Sequence, residues 1–150
     1  MEWMLMPLRR YAEFSGRSRR KEYWMFTLFI VLVTMVCMAL MFAGGFSTMM
    51  ALDSGEVGGA PGPLFWVGMV PFALFMLAII IPSIAVGVRR FHDRDMSGWW
   101  YLGFIVLGAI PYVGILASIA SLVIMVLPGT PGPNRFGPDP KVPASAEVFA

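Results

Sequence analysis

Three long stretches of this chain contain no Asp, Glu, Lys, Arg or His, and this feature constrains the fold more than any other. They cover residues 23–46, 64–88 and 99–127. About twenty apolar residues in a helix cover the hydrocarbon core of a bilayer, and a helix in lipid is apolar nearly all round. The sequence therefore predicts an all-α fold, a small polytopic transmembrane helical bundle with three hydrophobic passages.

The third run is too long for one straight transmembrane helix and too short for two. One straight helix over residues 99–127 would extend about 44 Å, against a hydrocarbon core of about 30 Å. Two full spans would need more residues than the run has. Gly108, Pro111 and Gly114 lie at its middle. We expect either one tilted, kinked helix or two short helical pieces in a shallow hairpin, in both cases kinked or broken near Pro111.

The flanking segments complete one predicted membrane domain over residues 1–141. Residues 1–22 mix aromatic and basic side chains, a pattern typical of an N-terminal helix lying in the headgroup region. Six prolines and three glycines between Pro128 and Pro143 exclude a regular helix or central strand there. We expect a turn-rich strap, followed by a disordered tail over residues 142–150.

The basic residues predict the orientation. They are concentrated in residues 9–21 and 89–94, whereas the Gly-rich loop over residues 47–63 has none. The charged stretch over residues 89–98 is expected to form a turn, the second turn. Because basic flanks stay in the cytoplasm, the N-terminus and this second turn should be cytoplasmic. A full third span would put the strap outside and a broken hairpin would put it inside, and the sequence leaves both open. The formal charge of +2 is too small to indicate a nucleic-acid binder.

The sequence offers no convincing catalytic or metal-binding group. The runs lack the ionisable residues that coupled transporters place at membrane depth. His92, Asp93 and Asp95 supply one imidazole and two carboxylates, with no nucleophile and no second histidine or thiolate. The single cysteine, Cys37, lies within the first run and is expected to be a buried free thiol. We therefore predict no catalytic, cofactor-binding or metal-binding residues and no enzymatic activity.

The charged residues beside the runs form the candidate site. We expect Asp93 and Asp95 to pair with Arg17, Arg20 or Arg90. These pairs would join residues 1–22, which we call the leader, to the second turn. The same region is a candidate charged face on the cytoplasmic side, since juxtamembrane basic residues attract anionic headgroups. Its members are Arg17, Arg20, Arg89, Arg90, His92, Asp93 and Asp95.

An ordered set of short motifs resembles a known family. The motifs are Phe14-Ser-Gly-Arg17 with Arg20, Tyr23 and Trp24; Arg89-Arg-Phe-His-Asp93; Ser97-Gly-Trp-Trp100; Ile110-Pro-Tyr-Val-Gly114; and the run from Pro128 to Pro140. The chain resembles the YhaH-like family of small bacterial inner-membrane proteins, which carries the domain of unknown function 805. That family more often has leucine where this chain has Phe91. The resemblance implies a bacterial inner (plasma) membrane location and a multi-helix bundle, and it brings no enzyme, cofactor or ligand.

Three hypotheses for function follow. The first is a non-enzymatic binding or structural membrane component, whose basic cytoplasmic face binds a partner or anionic lipid. The second is a channel or transporter component, in which the segment around Pro111 lines a path. The third is a membrane enzyme that acts on lipid headgroups through His92, Asp93 and Asp95. Small residues at four-residue spacing, such as Ser83 and Gly87, also permit close packing within the chain or in a homo-oligomer.

Overall fold

The computed structural model describes residues 2–53 and 61–141, with side chains for residues 2–46 and 61–141. The regular elements within these ranges are five α-helices, which confirms the all-α class. The tail predicted to be disordered, residues 142–150, and residues 54–60 of the Gly-rich loop lie outside the described residues. The helices are α1 (Glu2–Arg9), α2 (Arg20–Asp53), α3 (Pro63–His92), α4 (Gly98–Gly108) and α5 (Val113–Val126).

Two of the described helices are long and apolar enough to cross a membrane. These segments, Arg20–Phe46 in α2 and Pro63–His92 in α3, contain the first two predicted runs. The charged stretch expected to form a turn from Arg89 onward instead begins as the last turn of α3, and the turn starts at Asp93. Basic side chains favour the last turn of a helix because they face the negative end of its dipole. The helix therefore continues through Arg89, Arg90 and His92.

The chain forms two compact units. One comprises Thr27–Ile80, and the other comprises the chain up to Phe26 together with the chain from Ile81 onward. In the first unit, α2 and α3 approach closely at glycines. A Cβ added at Gly44 would lie 2.1 Å from the Phe65 backbone nitrogen, and one added at Gly68 would lie 2.7 Å from the Cys37 carbonyl oxygen. Small residues thus allow the two backbones to pack together.

The third apolar run forms the helical hairpin, one of the two arrangements that the sequence left open. Helix α4 is about 16 Å long and α5 about 21 Å, and residues 109–112 separate them. Tyr112 in this break has a φ of 63°. Two short helices therefore replace the single kinked helix that was the alternative for a third passage. Ser97 is the N-cap of α4, and its hydroxyl accepts a hydrogen bond from the Trp99 amide.

The hairpin packs against the last turns of α3. The Phe91 ring is fully buried, with ring centroids 5.5 Å from Tyr101 and 5.9 Å from Phe104. A Cβ at Gly87 would lie 2.3 Å from the Tyr101 ring, so glycine is required where the two helices meet. This contact fixes the hairpin beside the charged end of α3.

The leader folds as a short helix followed by an irregular segment. Helix α1 ends at Arg9, and beyond it Glu13 binds Arg10 at 2.6 Å, while Arg17 contacts Asp93. The hydrogen bond from Arg10 lowers the pKa of Glu13, and the same bond raises the pKa of Arg10.

The tightness of the hairpin gives a direct test. A Cβ at Gly114 would lie 2.4 Å from the Gly108 carbonyl oxygen, whereas one at Gly103 would meet nothing within 4 Å. We expect Gly114→Ala to destabilise the protein by about 1–3 kcal/mol, since overpacking moves backbone. Gly103→Ala, the matched control in the same hairpin, should raise stability or leave it unchanged, because alanine favours helix by up to about 1 kcal/mol. Thermal unfolding in detergent measures both, and equal effects would contradict the hairpin packing.

Candidate functional site

The described charged side chains that are most deeply buried lie together where the leader, the end of α3 and the segment after α5 meet. We call Arg17, Glu22, Arg89, Arg90 and Asp93 the arginine cluster, and residues 128–141 the strap. All five cluster members are almost completely buried. Such charges are costly in a protein interior unless they are paired or hydrogen-bonded.

Asp93 lies at the centre of the arginine cluster. The Arg17 Nε donates to its Oδ1 at 3.0 Å, and the Arg90 Nη1 donates to its Oδ2 at 2.5 Å. Its backbone carbonyl oxygen accepts a hydrogen bond from the Thr130 amide at 2.8 Å. One residue at the end of α3 therefore joins the leader, its own helix and the strap.

Arg17 extends this junction along the strap. Its Nη1 donates to the Gly132 carbonyl oxygen at 2.5 Å, and its Nη2 donates to the Thr130 carbonyl oxygen at 2.6 Å. A Cβ at Gly129 would lie only 1.9 Å from the Asp93 Oδ2, so the strap passes directly against the carboxylate. The planar guanidinium suits such a role because it presents five donors in a fixed geometry.

Three arginines bind the carbonyl groups at the end of α5. Arg90 donates to the Met125 carbonyl oxygen at 3.3 Å and also to the Leu127 carbonyl oxygen. The last four carbonyls of a helix have no partner within it, and cations near them are favoured by the helix dipole. The arginines thereby hold the end of α5 beside the end of α3. Two further contacts are Arg20 to Val126 at 3.2 Å and Arg94 to Pro128 at 2.6 Å.

A second buried ion pair joins Arg89 and Glu22. The Arg89 Nη1 lies 3.1 Å from the Glu22 Oε1, and both side chains are buried. The contact is an ion pair outside good hydrogen-bond geometry, so the Arg89 nitrogens have no hydrogen-bond partner among the described residues. The Ser18 amide donates to the Arg89 carbonyl oxygen at 3.1 Å, which fixes the leader against α3 at this level.

The outer part of the strap covers His92. The Phe136 ring stacks on the imidazole with a centroid distance of 3.9 Å and an interplanar angle of 3°. The His92 Nδ1 lies 3.2 Å from the Gly16 carbonyl oxygen, which places its proton on that nitrogen in the neutral ring. Asn134 donates to the His92 carbonyl oxygen at 2.9 Å. Two amide groups hold the strap's own turn, since the Lys141 and Gly132 amides bind Asp139 and lower its pKa.

The residues that the sequence proposed as a charged face differ in their exposure. Arg17, Arg89, Arg90 and Asp93 are buried and brought together, His92 is half-buried, and Arg20 and Asp95 are exposed. Asp93 pairs with Arg17 and Arg90, as expected. The expectation for Asp95 was wrong, because its partner is Arg135 of the strap at 3.2 Å. Asp95 ends the turn with a φ of 58°, and its carbonyl oxygen also accepts a hydrogen bond from Arg135 at 2.7 Å, so the strap and not the leader lies beside it.

Several residues of the site were missed by sequence reasoning. The sequence pattern places Glu22 at the end of the leader, but Glu22 lies in the first turn of α2 and pairs with Arg89. The strap residues Thr130, Asn134 and Phe136 stood out only as part of a Pro- and Gly-rich motif. The available signal was polar and aromatic residues placed between prolines, and it did not indicate their partners.

The chemistry available to the site is that of a structural junction. Asp93 uses both carboxylate oxygens on arginines, and the His92 imidazole is covered on one face by Phe136. Within residues 2–53 and 61–141, no group of three His, Cys, Asp or Glu side chains lies close enough to hold a metal ion. The buried charges serve to join segments, and the surrounding exposed cations are the groups that meet solvent or lipid.

Comparisons with known proteins agree with the membrane assignment. A family model described as protein of unknown function (DUF805) matches residues 11–138. The chain is 39% identical to inner membrane protein YhaH of Escherichia coli K12 over 142 residues, 95% of this chain and 98% of that protein. It is 38% identical to inner membrane protein YhaI of the same strain over 141 residues, 94% and 97% of the two chains. No solved structure matches.

The two aspartates of the turn provide a matched test of the site. Asp93→Asn removes the charge that two buried arginines share, and loss of one partner from a buried ion pair costs about 3–5 kcal/mol. Asp95→Asn removes half of a largely exposed pair, which contributes less than about 1 kcal/mol. We expect thermal unfolding in detergent to show a large loss for Asp93→Asn and almost none for Asp95→Asn. Equal losses would mean that Asp93 does not join the segments.

Proposed function

This chain belongs to the DUF805 family of unknown function, and from that premise we propose that it is a multi-pass inner-membrane protein that binds anionic lipid headgroups at its cytoplasmic face. We propose further that it is a binding or structural component and not an enzyme. One observation carries this proposal: the buried charges pair with one another, whereas the charges left at the surface are mainly cations.

The surface charge is the first support. Among the side chains that the structure describes, eight Lys and Arg residues but only four Asp and Glu residues lie outside the arginine cluster. All twelve lie in the leader, the start of α2, the turn after α3 or the strap. Each basic residue near an anionic membrane surface contributes roughly 1 kcal/mol of attraction. The cations are Arg9, Arg10, Arg19, Arg20, Lys21, Arg94, Arg135 and Lys141.

Exposed aromatic side chains are the second support, since they favour a position of this cationic surface at the level of the lipid headgroups. Trp24, Trp99 and Trp100 are exposed at the starts of α2 and α4, and tryptophan favours the membrane interface. The Trp3 ring in α1 lies 5.6 Å from both the Arg19 guanidinium and the Lys21 ammonium. These cation–π contacts place α1 beside the basic start of α2. This arrangement supports the interfacial position that we propose for α1.

The membrane arrangement that fits best has two spans and a re-entrant hairpin. In it α2 and α3 cross the bilayer, and α4 and α5 enter and leave on the side of the arginine cluster. The leader, the turn after α3 and the strap are joined in one cluster, so all three share a side. Because they are rich in Lys and Arg, the positive-inside rule assigns them, with the N-terminus, to the cytoplasm.

The other two hypotheses have less support. An enzyme acting on headgroups through His92, Asp93 and Asp95 would need free functional groups. Each has a different structural partner instead, namely Phe136, the two arginines and Arg135. A channel would need polar groups along its path, but residues 99–127 are apolar apart from hydroxyl side chains. Lipid binding uses the groups that are exposed.

Cysteine labelling tests the proposed topology. In a Cys37→Ala background, we expect single cysteines at Arg9, Arg94 and Lys141 to react with a membrane-impermeant maleimide only when the cytoplasmic face is accessible. Inverted and right-side-out vesicles supply the two conditions. A cysteine at Pro61, two residues before α3, should react from the opposite face. Labelling of Arg9→Cys and Lys141→Cys from opposite faces would contradict the re-entrant hairpin.

Lipid enrichment tests the proposed binding. Arg9, Lys21 and Lys141 are exposed, and the ion pairs of the arginine cluster are formed by other residues. We expect the variant with all three changed to Gln to retain several-fold less anionic lipid, since about 1 kcal/mol per charge is roughly a fivefold effect. Native mass spectrometry of protein extracted in membrane particles measures the retained lipid.

The matched control keeps the charges, with Arg9→Lys, Lys21→Arg and Lys141→Arg. It should retain anionic lipid as the parent protein does. Equal lipid retention by the Gln variant and this control would overturn the proposal. Co-purification of a stoichiometric protein partner, lost in the Gln variant without any change in lipid, would replace lipid by that partner.

A further inference from the structure

We propose that this protein concentrates in bilayer regions that are convex on the side of the arginine cluster, because its helices occupy the two leaflets unequally. The inference rests on the membrane arrangement proposed above. It goes beyond headgroup binding, since it depends on the lengths of the helices and not on the exposed cations.

The hairpin is about half as deep as a bilayer. The hydrocarbon core is about 30 Å thick, so that one leaflet supplies about 15 Å. Helix α4 measures about 16 Å and α5 about 21 Å. By contrast, the spanning segments have 27 residues in α2 and 30 in α3, about 40 and 45 Å. The hairpin therefore ends near the midplane, whereas α2 and α3 continue through both leaflets.

The hairpin is suited to immersion and not to lying flat on the surface. Helix α4 has no charged residue, and its exposed side chains are apolar from Trp99 and Trp100 at its start to Ile105 and Val106 near its end. Helix α5 is equally apolar, with Ile115 and Leu116 exposed. An interfacial helix would need a strongly polar face opposite its apolar one. Neither helix has such a face, so both should lie within the hydrocarbon region.

Both ends of the hairpin are fixed on one side. Ser97 caps the start of α4 next to the turn after α3, and Arg90, Arg20 and Arg94 bind the carbonyls at the end of α5. The close contact of Gly114 with Gly108 holds the two arms together at the break. The hairpin consequently cannot open into a full span without losing the arginine contacts.

The unequal occupancy has a mechanical consequence. In the proposed membrane arrangement, α2, α3, α4 and α5 pass through the leaflet on the cluster side, and only α2 and α3 are long enough to pass through the other leaflet. With a helix diameter of about 10 Å, the excess cross-section is about 160 Å². Bending a bilayer increases the area of its convex leaflet relative to the concave one. A convex cluster side therefore accommodates the hairpin with less compression of lipid, and the protein should accumulate there.

Tube-pulling from giant vesicles tests this inference on the intact protein. The vesicles contain a zwitterionic lipid with a uniform fraction of anionic lipid, and a fluorescent label on Pro61→Cys, in the Cys37→Ala background, reports orientation through an impermeant quencher. We expect a several-fold higher protein density per membrane area on the tube when the cluster faces outward. The same protein with the cluster facing inward should be depleted from the tube. Equal densities, or the same preference in both orientations, would overturn the inference.

The charge-neutralised variant separates this inference from headgroup binding. It carries Arg9→Gln, Lys21→Gln and Lys141→Gln, which remove exposed cations and leave the hairpin intact. We expect this variant to lose anionic-lipid enrichment and to keep its orientation-dependent sorting onto the tube. Loss of sorting in this variant would assign the curvature preference to the cations and overturn the role of the hairpin. If the parent protein sorts by orientation but shows no enrichment of anionic lipid, this inference stands and the proposed function is wrong.

Discussion

The hydrogen bonds that Arg17 and Arg90 donate to Asp93 are the interaction on which the rest of this unit depends. Moving a charged group out of water costs several kcal/mol, and a buried ion pair offsets this only with good geometry and further hydrogen bonds. Both arginines meet that condition. Arg17 donates its remaining hydrogens to carbonyls of the strap, and Arg90 donates to carbonyls at the end of α5. The buried charges are thus stabilised by contacts that also fix where the leader, hairpin and strap lie.

The position of the arginines explains why the third apolar run is a hairpin. A spanning helix would carry its last carbonyls to the opposite face, away from Arg90, Arg20 and Arg94. The break over residues 109–112 returns α5 to these cations, and Gly108 and Gly114 permit the tight approach of its arms. The cost of the irregular backbone at the break is offset by charge-assisted hydrogen bonds at the end of α5, from Arg90 to the Met125 and Leu127 carbonyls and from Arg20 to the Val126 carbonyl. The buried bond to Met125 contributes about 1.5–3 kcal/mol.

Much of the fold could be predicted from local patterns. Uncharged runs indicate helices wherever they occur, so that residues 23–46 and 64–88 fall within α2 and α3. The length of the third run and the position of Pro111 limited it to two arrangements. The partners in the site were harder to predict. Asp93 and Arg17 are 76 positions apart, and nothing in the local sequence distinguishes Arg17 from Arg20 as its partner. The pairing of Asp95 with Arg135 likewise depends on where the strap passes.

Solid-state NMR of the protein in bilayers tests the central claim most directly. The measurement is the dipolar coupling between ¹⁵N in the arginine guanidinium groups and the ¹³C of the Asp93 carboxyl, assigned by comparison with Arg17→Lys and Arg90→Lys. The structure predicts strong coupling of this carbon to both arginines, since nitrogen–oxygen distances are 3.0 and 2.5 Å. A carboxyl carbon of Asp93 that shows no arginine coupling would contradict the account, because the leader, hairpin and strap would then lack their common partner.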